Sequence, residues 1–111
     1  MNRILILTPM KADDGYVELL KKLTECNYKL DPITSLDDKF YLRLLQADIF
    51  LIYTKGTDPF KVSVAIGMAL ALDINVHIVD LLKYQAPEAW TSLPIKFYSN
   101  SYNLFLNFFF T

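Results

Sequence analysis

Aspartates follow several apolar stretches of this chain within a few residues, where a carboxylate is well placed to bind a ligand or move a proton. These acids are Asp13, Asp14, Asp58 and Asp80. If the apolar stretches are parallel strands of one sheet, their carboxyl ends meet at a single edge, and ligands bind in a crevice there. We therefore take these four acids as candidates for a site. Asp48 and Asp73 precede such stretches and belong to the opposite end of the sheet.

A second group of polar residues lies between an apolar stretch and a long apolar helix pattern. Gly56, Thr57 and Asp58 belong to a run of turn-forming residues, and Ser63 follows near the start of the predicted helix. Unpaired backbone N–H groups at a helix start favour an anionic or hydroxyl-rich ligand. The same spacing fits a helix that Asp58 and Ser63 merely cap. Both interpretations stay open.

Several familiar kinds of site are excluded. The chain has three glycines and contains neither a dinucleotide-binding glycine motif, nor a P-loop, nor the G-x-S-x-G of many hydrolases. His77 lies within an apolar stretch and has no acidic partner at a recognisable spacing, so we predict a hydrogen-bonded core or interface residue. Cys26, the one cysteine, is predicted to pack at the end of a helix. One histidine and one cysteine are too few for a zinc cluster, and no metal is expected.

Charge and length narrow the class of protein. Eleven basic and 12 acidic residues give a formal charge of −1, so no basic field exists to hold a nucleic acid or an anionic membrane surface. The apolar run before Pro9 is too short for a signal peptide or a membrane span. We expect a single soluble, cytoplasmic domain over residues 1–111, with a core large enough to fold without a cofactor.

Strand and helix patterns alternate along the chain. Continuous apolar runs predict buried strands at 4–8, 49–53 and 75–79, and weaker patterns predict an edge strand at 28–33 and a short strand at 95–98. Amphipathic spacing predicts a helix after Gly15, a second helix opened by a capping box from Ser35 to Asp38, and a buried third helix over 62–72. A terminal helix is predicted over 99–110. The class is α/β: a doubly wound, mostly parallel sheet of four to five strands flanked by helices.

The C-terminal part is aromatic and almost without charge. Nine aromatic residues follow Lys83, whereas Glu88 and Lys96 are the only charged residues there. Apolar surfaces of that size are rare on monomers, so part of this tail is expected to pack against another copy of the chain. The alternative is a tail that folds entirely onto its own sheet.

Short segments carry a resemblance to a known family. They are Leu7-Thr8-Pro9-Met10, Ala47-Asp48-Ile49-Phe50-Leu51-Ile52, Gly56-Thr57-Asp58-Pro59 and Ile66-Gly67-Met68-Ala69-Leu70-Ala71-Leu72. Together they resemble the nucleoside 2-deoxyribosyltransferases over about residues 3–80. The resemblance implies a flavodoxin-like fold, no metal or organic cofactor, and a reaction of nucleotide salvage. In that reaction 2-deoxyribose passes from one nucleobase to another through a covalent glycosyl-enzyme.

One departure from the family bears directly on activity. The family's nucleophilic glutamate stands two residues before the helix glycine, and at that position this chain has Ala65. No other carboxylate lies between Lys61 and Leu72, so the double displacement is not available to the chain as written. Either Ala65 replaces a natural glutamate as a deliberate change, or the chain is a natural relative that binds nucleosides or nucleotides without cleaving them.

The resemblance also assigns the remaining site positions. Position 65 would carry the nucleophile, Asp58 would shuttle the proton of the base, and Asn103 from a neighbouring subunit would hold the sugar or the nucleophile, which implies a homo-oligomer with shared sites. Residues expected to line the substrate are Thr8, Pro9, Met10, Asp14, Tyr16, Gly56 and Ser63. Tyr16 can stack on the base, although a core role is favoured. Hydrolysis by water in place of transfer, and a nucleotide in place of a nucleoside, stay open.

Overall fold

The fold comes from a computed structural model of the chain. The residues that the structure describes are 3–79, 95–98 and 104. The strands are β1 (Arg3–Leu7), β2 (Lys29–Ile33), β3 (Ile49–Tyr53), β4 (Val76–Val79) and β5 (Ile95–Tyr98). The helices are α1 (Asp14–Glu25), α2 (Asp38–Gln46) and α3 (Pro59–Ala71). These elements confirm the predicted alternation, including the short last strand. The terminal helix predicted over 99–110 lies outside the described residues.

The strands form one sheet in the order β2-β1-β3-β4-β5, and every pair is parallel. This confirms the α/β class, and the architecture is flavodoxin-like within the described part of the chain. From β1 the chain passes to β2 on one side and then crosses back to β3 on the other side, so the strand order reverses at the boundary between β1 and β3. Ligands of open α/β sheets bind at such a reversal, beyond the carboxyl ends of the strands.

Both faces of the sheet are buried, which explains why its central strands are apolar throughout. On one face Ile4 and Ile6 of β1 pack with α1 and with Leu104. On the other face Leu5 and Leu7 pack with α2 and α3. Alternate residues of each strand point to opposite faces, so α1 covers one side and the other two helices cover the reverse.

Carboxylates begin each described helix, all at the carboxyl edge of the sheet. Asp13 accepts from the backbone N–H of Tyr16 at 2.8 Å, and Asp37 accepts from that of Lys39 at 3.0 Å. The capping box predicted from Ser35 is therefore wrong, because Asp37 occupies the cap position of α2. These bonds satisfy N–H groups that have no partner inside the helix.

Two further expectations concern the opposite ends of these elements. Cys26 is exposed at the end of α1, so the predicted packing role is wrong. Asp48 does lie at the amino end of the sheet, as predicted, and accepts from the backbone N–H of Arg3 at 2.7 Å. Within the described residues no helix is both long and apolar enough to cross a bilayer.

Candidate functional site

Two threonines separate the carboxyl ends of β1 and β3. Thr8 donates both its backbone N–H and its hydroxyl to the carbonyl of Ile33, the last residue of β2, at 2.8 and 3.0 Å. Thr54 makes the same pair of bonds to Val79, the last residue of β4, at 3.2 and 3.0 Å. Thr8 therefore bonds β1 to its outer neighbour β2, and Thr54 bonds β3 to its outer neighbour β4. The ladder between β1 and β3 ends at Leu7 and Ile52, and the space beyond that end, between the loops that follow the two strands, is the candidate crevice.

The crevice has a charged network on its α1 side. Tyr53, the fully buried last residue of β3, donates its hydroxyl to Oδ1 of Asp13 at 2.9 Å. Lys55 lies in the next loop and places Nζ 3.1 Å from Oδ2 of the same carboxylate. Asp13 therefore receives the backbone N–H of Tyr16, the Tyr53 hydroxyl and the Lys55 ammonium. We call Thr8, Asp13, Tyr16, Tyr53 and Lys55 the switch-point cluster.

Electrostatics follow from this geometry. The backbone hydrogen bond from Tyr16 lowers the pKa of the Asp13 carboxyl, with further lowering by Tyr53 and Lys55. Burial raises the pKa of the Tyr53 hydroxyl, and the neighbouring carboxylate raises it further. At neutral pH the carboxylate is charged and the phenol is protonated, so Tyr53 acts as a donor and Asp13 as an acceptor.

Tyr16 contributes a buried hydroxyl that makes no hydrogen bond of good geometry among the described residues, although the Thr8 side chain lies close enough to influence it. Its side chain is 4% exposed, and its ring packs edge-on against Tyr53 with 5.2 Å between centroids. Burial raises the pKa of Tyr16 to about 12, and the Thr8 side chain opposes that rise. Because a buried, unpaired hydroxyl costs about 1–3 kcal/mol, this group is the one most in need of a partner.

The loops that follow β1 and β3 meet above the crevice. The backbone N–H of Met10 approaches the carbonyl of Gly56 at 3.4 Å. Gly56 has φ of +81°, and a Cβ there would lie 3.2 Å from that of Pro9. Thr57 donates its hydroxyl to the Tyr53 carbonyl at 2.8 Å and holds this turn. Glycine is required here by both the backbone conformation and the close approach.

At the start of α3 the predicted cap is confirmed. Asp58 accepts from the backbone N–H of Phe60 at 3.0 Å, and Ser63 bonds to the Pro59 carbonyl at 3.1 Å. Both side chains serve the local backbone of the helix. Lys61 reaches across to the carbonyl of Thr34 at 2.7 Å and links α3 to the end of β2. Whether Asp58 also moves a proton stays a prediction.

Ala65 lies within the apolar core and is 0% exposed. It belongs to the cluster formed by one face of β1 and β3 together with Phe40 and Leu44 of α2. A methyl group suits this position, because it permits α3 to approach the sheet closely. The same burial means that a longer polar side chain at 65 would have to displace apolar neighbours.

The other predicted site residues are distributed as follows. Pro9 and Gly56 approach each other, and the Thr8 side chain lies beside Tyr16; that these residues line a substrate stays a prediction. Met10 is 83% exposed on its rim, and Asp14 is exposed in the first turn of α1. Asn103 and Asp80 lie outside the described residues, so their assigned roles stay predictions.

The sequence assigns no site role to Tyr53 and Thr54. Their signal is weak, because a tyrosine at the end of an apolar run looks like any strand residue. The hydrogen bond between positions 13 and 53 becomes visible only once β1 and β3 are known to be neighbours. His77 is a core residue, as predicted: its Nδ1 lies 3.0 Å from the Tyr98 hydroxyl. Burial lowers its pKa to about 4, helped by Lys96.

No family model, characterised protein or solved structure matches this chain. Among residues 3–79, 95–98 and 104, no group of three or more histidine, cysteine or acidic side chains converges as a metal site would require.

Proposed function

We propose that the chain binds a nucleoside or nucleotide in the crevice between β1 and β3 without cleaving it. The observation that carries this proposal is the separation of β1 and β3 at their carboxyl ends, where Thr8 bonds to β2 and Thr54 bonds to β4. The buried Tyr16 hydroxyl, which lacks a well-formed hydrogen bond, belongs to the same region. In an open parallel sheet that is where ligands bind. The segments that resemble the nucleoside 2-deoxyribosyltransferases include both loops above this crevice, and that resemblance favours a nucleoside-type ligand.

The chemistry of the switch-point cluster suits the sugar end of such a molecule. The Tyr16 hydroxyl can donate to or accept from a ribose hydroxyl, and Lys55 remains about half exposed while it contacts Asp13. An ammonium that is paired yet accessible can also approach an anionic group of the ligand. A hydroxyl and an ammonium group in one cluster favour a polar, hydroxylated ligand over an apolar one.

The state of the carboxylates supports binding without covalent chemistry. A nucleophile must be accessible and unengaged. Asp13 already receives three donors, and Asp58 caps α3. Position 65 carries a methyl group inside the core. With these residues, we expect a bound glycoside to keep its N-glycosidic bond.

Calorimetric titration of the full chain with deoxyadenosine and with its 5′-monophosphate tests the proposal. We expect one saturable site per chain for at least one of the two compounds. Preference for the monophosphate would indicate that a lysine reaches the phosphate. Incubation with thymidine and adenine should yield neither base exchange nor free base. Absence of binding for both compounds at millimolar concentration would refute the proposal.

A conservative variant separates a ligand contact from a packing role. Tyr16→Phe keeps the ring and removes the unpaired hydroxyl, so we expect an equal or higher midpoint of unfolding and binding about tenfold weaker. Lys55→Ala should also weaken binding, whereas Lys29→Ala, a charge change at the amino end of β2, should not. Unchanged affinity in both Tyr16→Phe and Lys55→Ala would place the ligand elsewhere.

Deoxyribosyl transfer by a form with glutamate at position 65 is the second candidate. It is favoured by the retained segment Ile66–Leu72, which resembles the family on the C-terminal side of that position. The Ala65→Glu variant would then gain base exchange by a thousandfold or more. Release of free base without exchange would indicate the hydrolytic version of the same chemistry.

A further inference from the structure

Two loops meet at the carboxyl ends of β1 and β3, and they differ in how firmly they are held. The loop after β3 is a closed turn, since Thr57 donates one hydrogen bond from its backbone and one from its hydroxyl to the two carbonyls that precede the turn, at 3.0 and 2.8 Å. The loop after β1 covers residues 9–12, and within the described part of the chain its one hydrogen bond runs from Met10 to Gly56 at 3.4 Å. That length exceeds the usual range of about 2.7–3.2 Å, so the bond is weak.

Three contacts join the β1 loop to the turn after β3. The first is the long hydrogen bond between Met10 and Gly56. The second is the contact of Pro9 with the same glycine: Pro9 is buried although its loop neighbours are exposed, and a Cβ at position 56 would lie 3.2 Å from the Cβ of Pro9. The third is the ion pair between Lys55 and Asp13, at 3.1 Å. We call Pro9, Met10, Asp13, Lys55 and Gly56 the clasp.

The clasp closes directly over the end of the ladder between β1 and β3. Thr8 alone separates Leu7, the last paired residue of β1, from Pro9, so at most about 7 Å of chain lies between them. Neighbouring strands lie about 4.8 Å apart, a separation that their own backbone atoms fill. A nucleobase with its sugar needs a wider and deeper space, since ligand pockets enclose about 300–1,000 Å³. With the clasp closed, the gap between the two strands is therefore too small for a nucleoside.

We propose that the clasp is a gate: it closes the crevice in the free protein and must part before a ligand binds. This inference rests on the function proposed above, because it takes the crevice as the ligand site. Asp13 stays in place, since the Tyr16 backbone and the Tyr53 hydroxyl both hold it. Opening therefore requires the Lys55 side chain to leave Asp13 and the loop over residues 9–12 to leave the turn after β3.

The contacts of the clasp are weak enough for a gate. The Lys55 side chain is about half exposed, and an exposed ion pair shifts an equilibrium by at most about fivefold. The other two contacts are one long hydrogen bond and one van der Waals contact. We therefore expect the open form to be a minor but accessible state of the free protein, and ligand affinity to be reduced in proportion to its population.

Thiol labelling of a Pro9→Cys chain, made with Cys26→Ser, measures opening without any ligand. Adding Lys55→Ala should accelerate labelling about two- to fivefold, and about 0.5 M salt should accelerate it only while Lys55 is present. The matched control is Lys61→Ala, which removes a lysine bonded outside the clasp and should leave the rate unchanged. Dilute urea should have little effect, because local opening exposes little surface. An unchanged rate in Lys55→Ala, or a rate that rises steeply with urea, would overturn the gate.

A disulfide that locks the clasp tests its effect on binding. Pro9→Cys with Gly56→Cys, again with Cys26→Ser, places two Cβ atoms 3.2 Å apart, close to the 3.5–4.5 Å of disulfides. The oxidised chain should bind deoxyadenosine at least about a hundredfold more weakly than the same chain reduced. Comparing two redox states of one chain cancels the strain of replacing a glycine with φ of +81°.

The outcomes of this experiment separate the gate from the proposed function. Equal affinity in the oxidised and reduced states would overturn the gate and leave the binding site standing. Failure of the disulfide to form under oxidation would contradict the contact between Pro9 and Gly56, and the gate with it. If neither the reduced chain nor the unaltered chain binds deoxyadenosine or its 5′-monophosphate, the proposed function fails and the gate has no ligand to admit.

Discussion

Glutamate at position 65 is the substitution that most sharply separates a core position from a catalytic one. Ala65 is fully buried among apolar side chains of β1, β3 and α2. A larger side chain there costs about 1–3 kcal/mol through overpacking, and a protonated carboxyl without a partner costs about 1–3 kcal/mol more. We therefore expect Ala65→Glu to lower the free energy of unfolding by about 2–6 kcal/mol even at low pH.

The cost should increase as the pH rises. Burial disfavours the charged form, so the pKa of the introduced carboxyl rises above its unfolded value of about 4.3. The folded state then keeps a proton that the unfolded state releases, and stability falls by about 1.4 kcal/mol per pH unit between the unfolded and the folded pKa. At pH 7 the total loss can reach about 6–10 kcal/mol, which is comparable to the whole free energy of unfolding of a small domain, about 5–15 kcal/mol.

Urea unfolding at pH 5, 6 and 7 measures this prediction. Ala65→Gln is the neutral control: it should be destabilised by a similar amount at pH 5 but without the pH slope. Ser63→Glu adds the same carboxylate at an exposed site two residues away and should change stability by less than about 0.5 kcal/mol. If Ala65→Glu is as stable as the unaltered chain at pH 7, position 65 reaches the crevice, the core assignment is wrong, and transfer becomes the better proposal.

Three other predictions concern stability. Asp13→Ala should lose about 2–3 kcal/mol in urea unfolding, because α1 loses its cap and the Tyr53 hydroxyl loses its acceptor. Asp13→Asn keeps the cap and should lose less, and its difference from the unaltered chain should shrink as the pH falls below about 4 and the carboxyl with its lowered pKa takes up a proton. The pKa of His77 is lowered to about 4, so the unfolded state binds its proton first and stability should fall by up to about 3 kcal/mol between pH 6.5 and 4. A His77→Phe variant measured across the same range should lack that slope; an identical slope in both proteins would contradict the assignment. Gly56→Ala should lower the unfolding free energy by about 1–2 kcal/mol, since φ is +81° there, whereas Gly67→Ala should raise it by about 1 kcal/mol.

Much of the fold is predictable because its signals are local. The uninterrupted apolar runs around Ile4 and Phe50 indicate strands buried on both faces, and the alternation with helices then requires a parallel sheet. The short strand β5 is predictable from the segment Ile95–Tyr98, in which apolar and aromatic residues surround Lys96. The prediction of a helix start is wrong where several residues that can cap a helix stand close together. Ser35, Asp37 and Asp38 can each cap α2, and only the backbone geometry selects Asp37.

The candidate site is less predictable, since its parts come together across the sheet. Pro9 and Gly56 were expected to line one crevice, and they do approach each other. The contact between Asp13 and Tyr53 spans 40 positions in the chain, and neither residue type announces it. The burial of Ala65 likewise depends on the rotation of α3 about its axis. A helix that is apolar on every side does not reveal that rotation, because no polar face marks the outside.

The hydrogen bonds from Thr8 to β2 and from Thr54 to β4 affect where the sheet opens first. They join β1 to β2 and β3 to β4 one residue further than β1 is joined to β3. The ladder between β1 and β3 therefore ends first, at Leu7 and Ile52, and we expect thermal opening of this strand pair to begin at that end. Hydrogen exchange at the backbone amides of Leu7 and Ile52 should therefore slow when a ligand binds between β1 and β3 and contacts both strands.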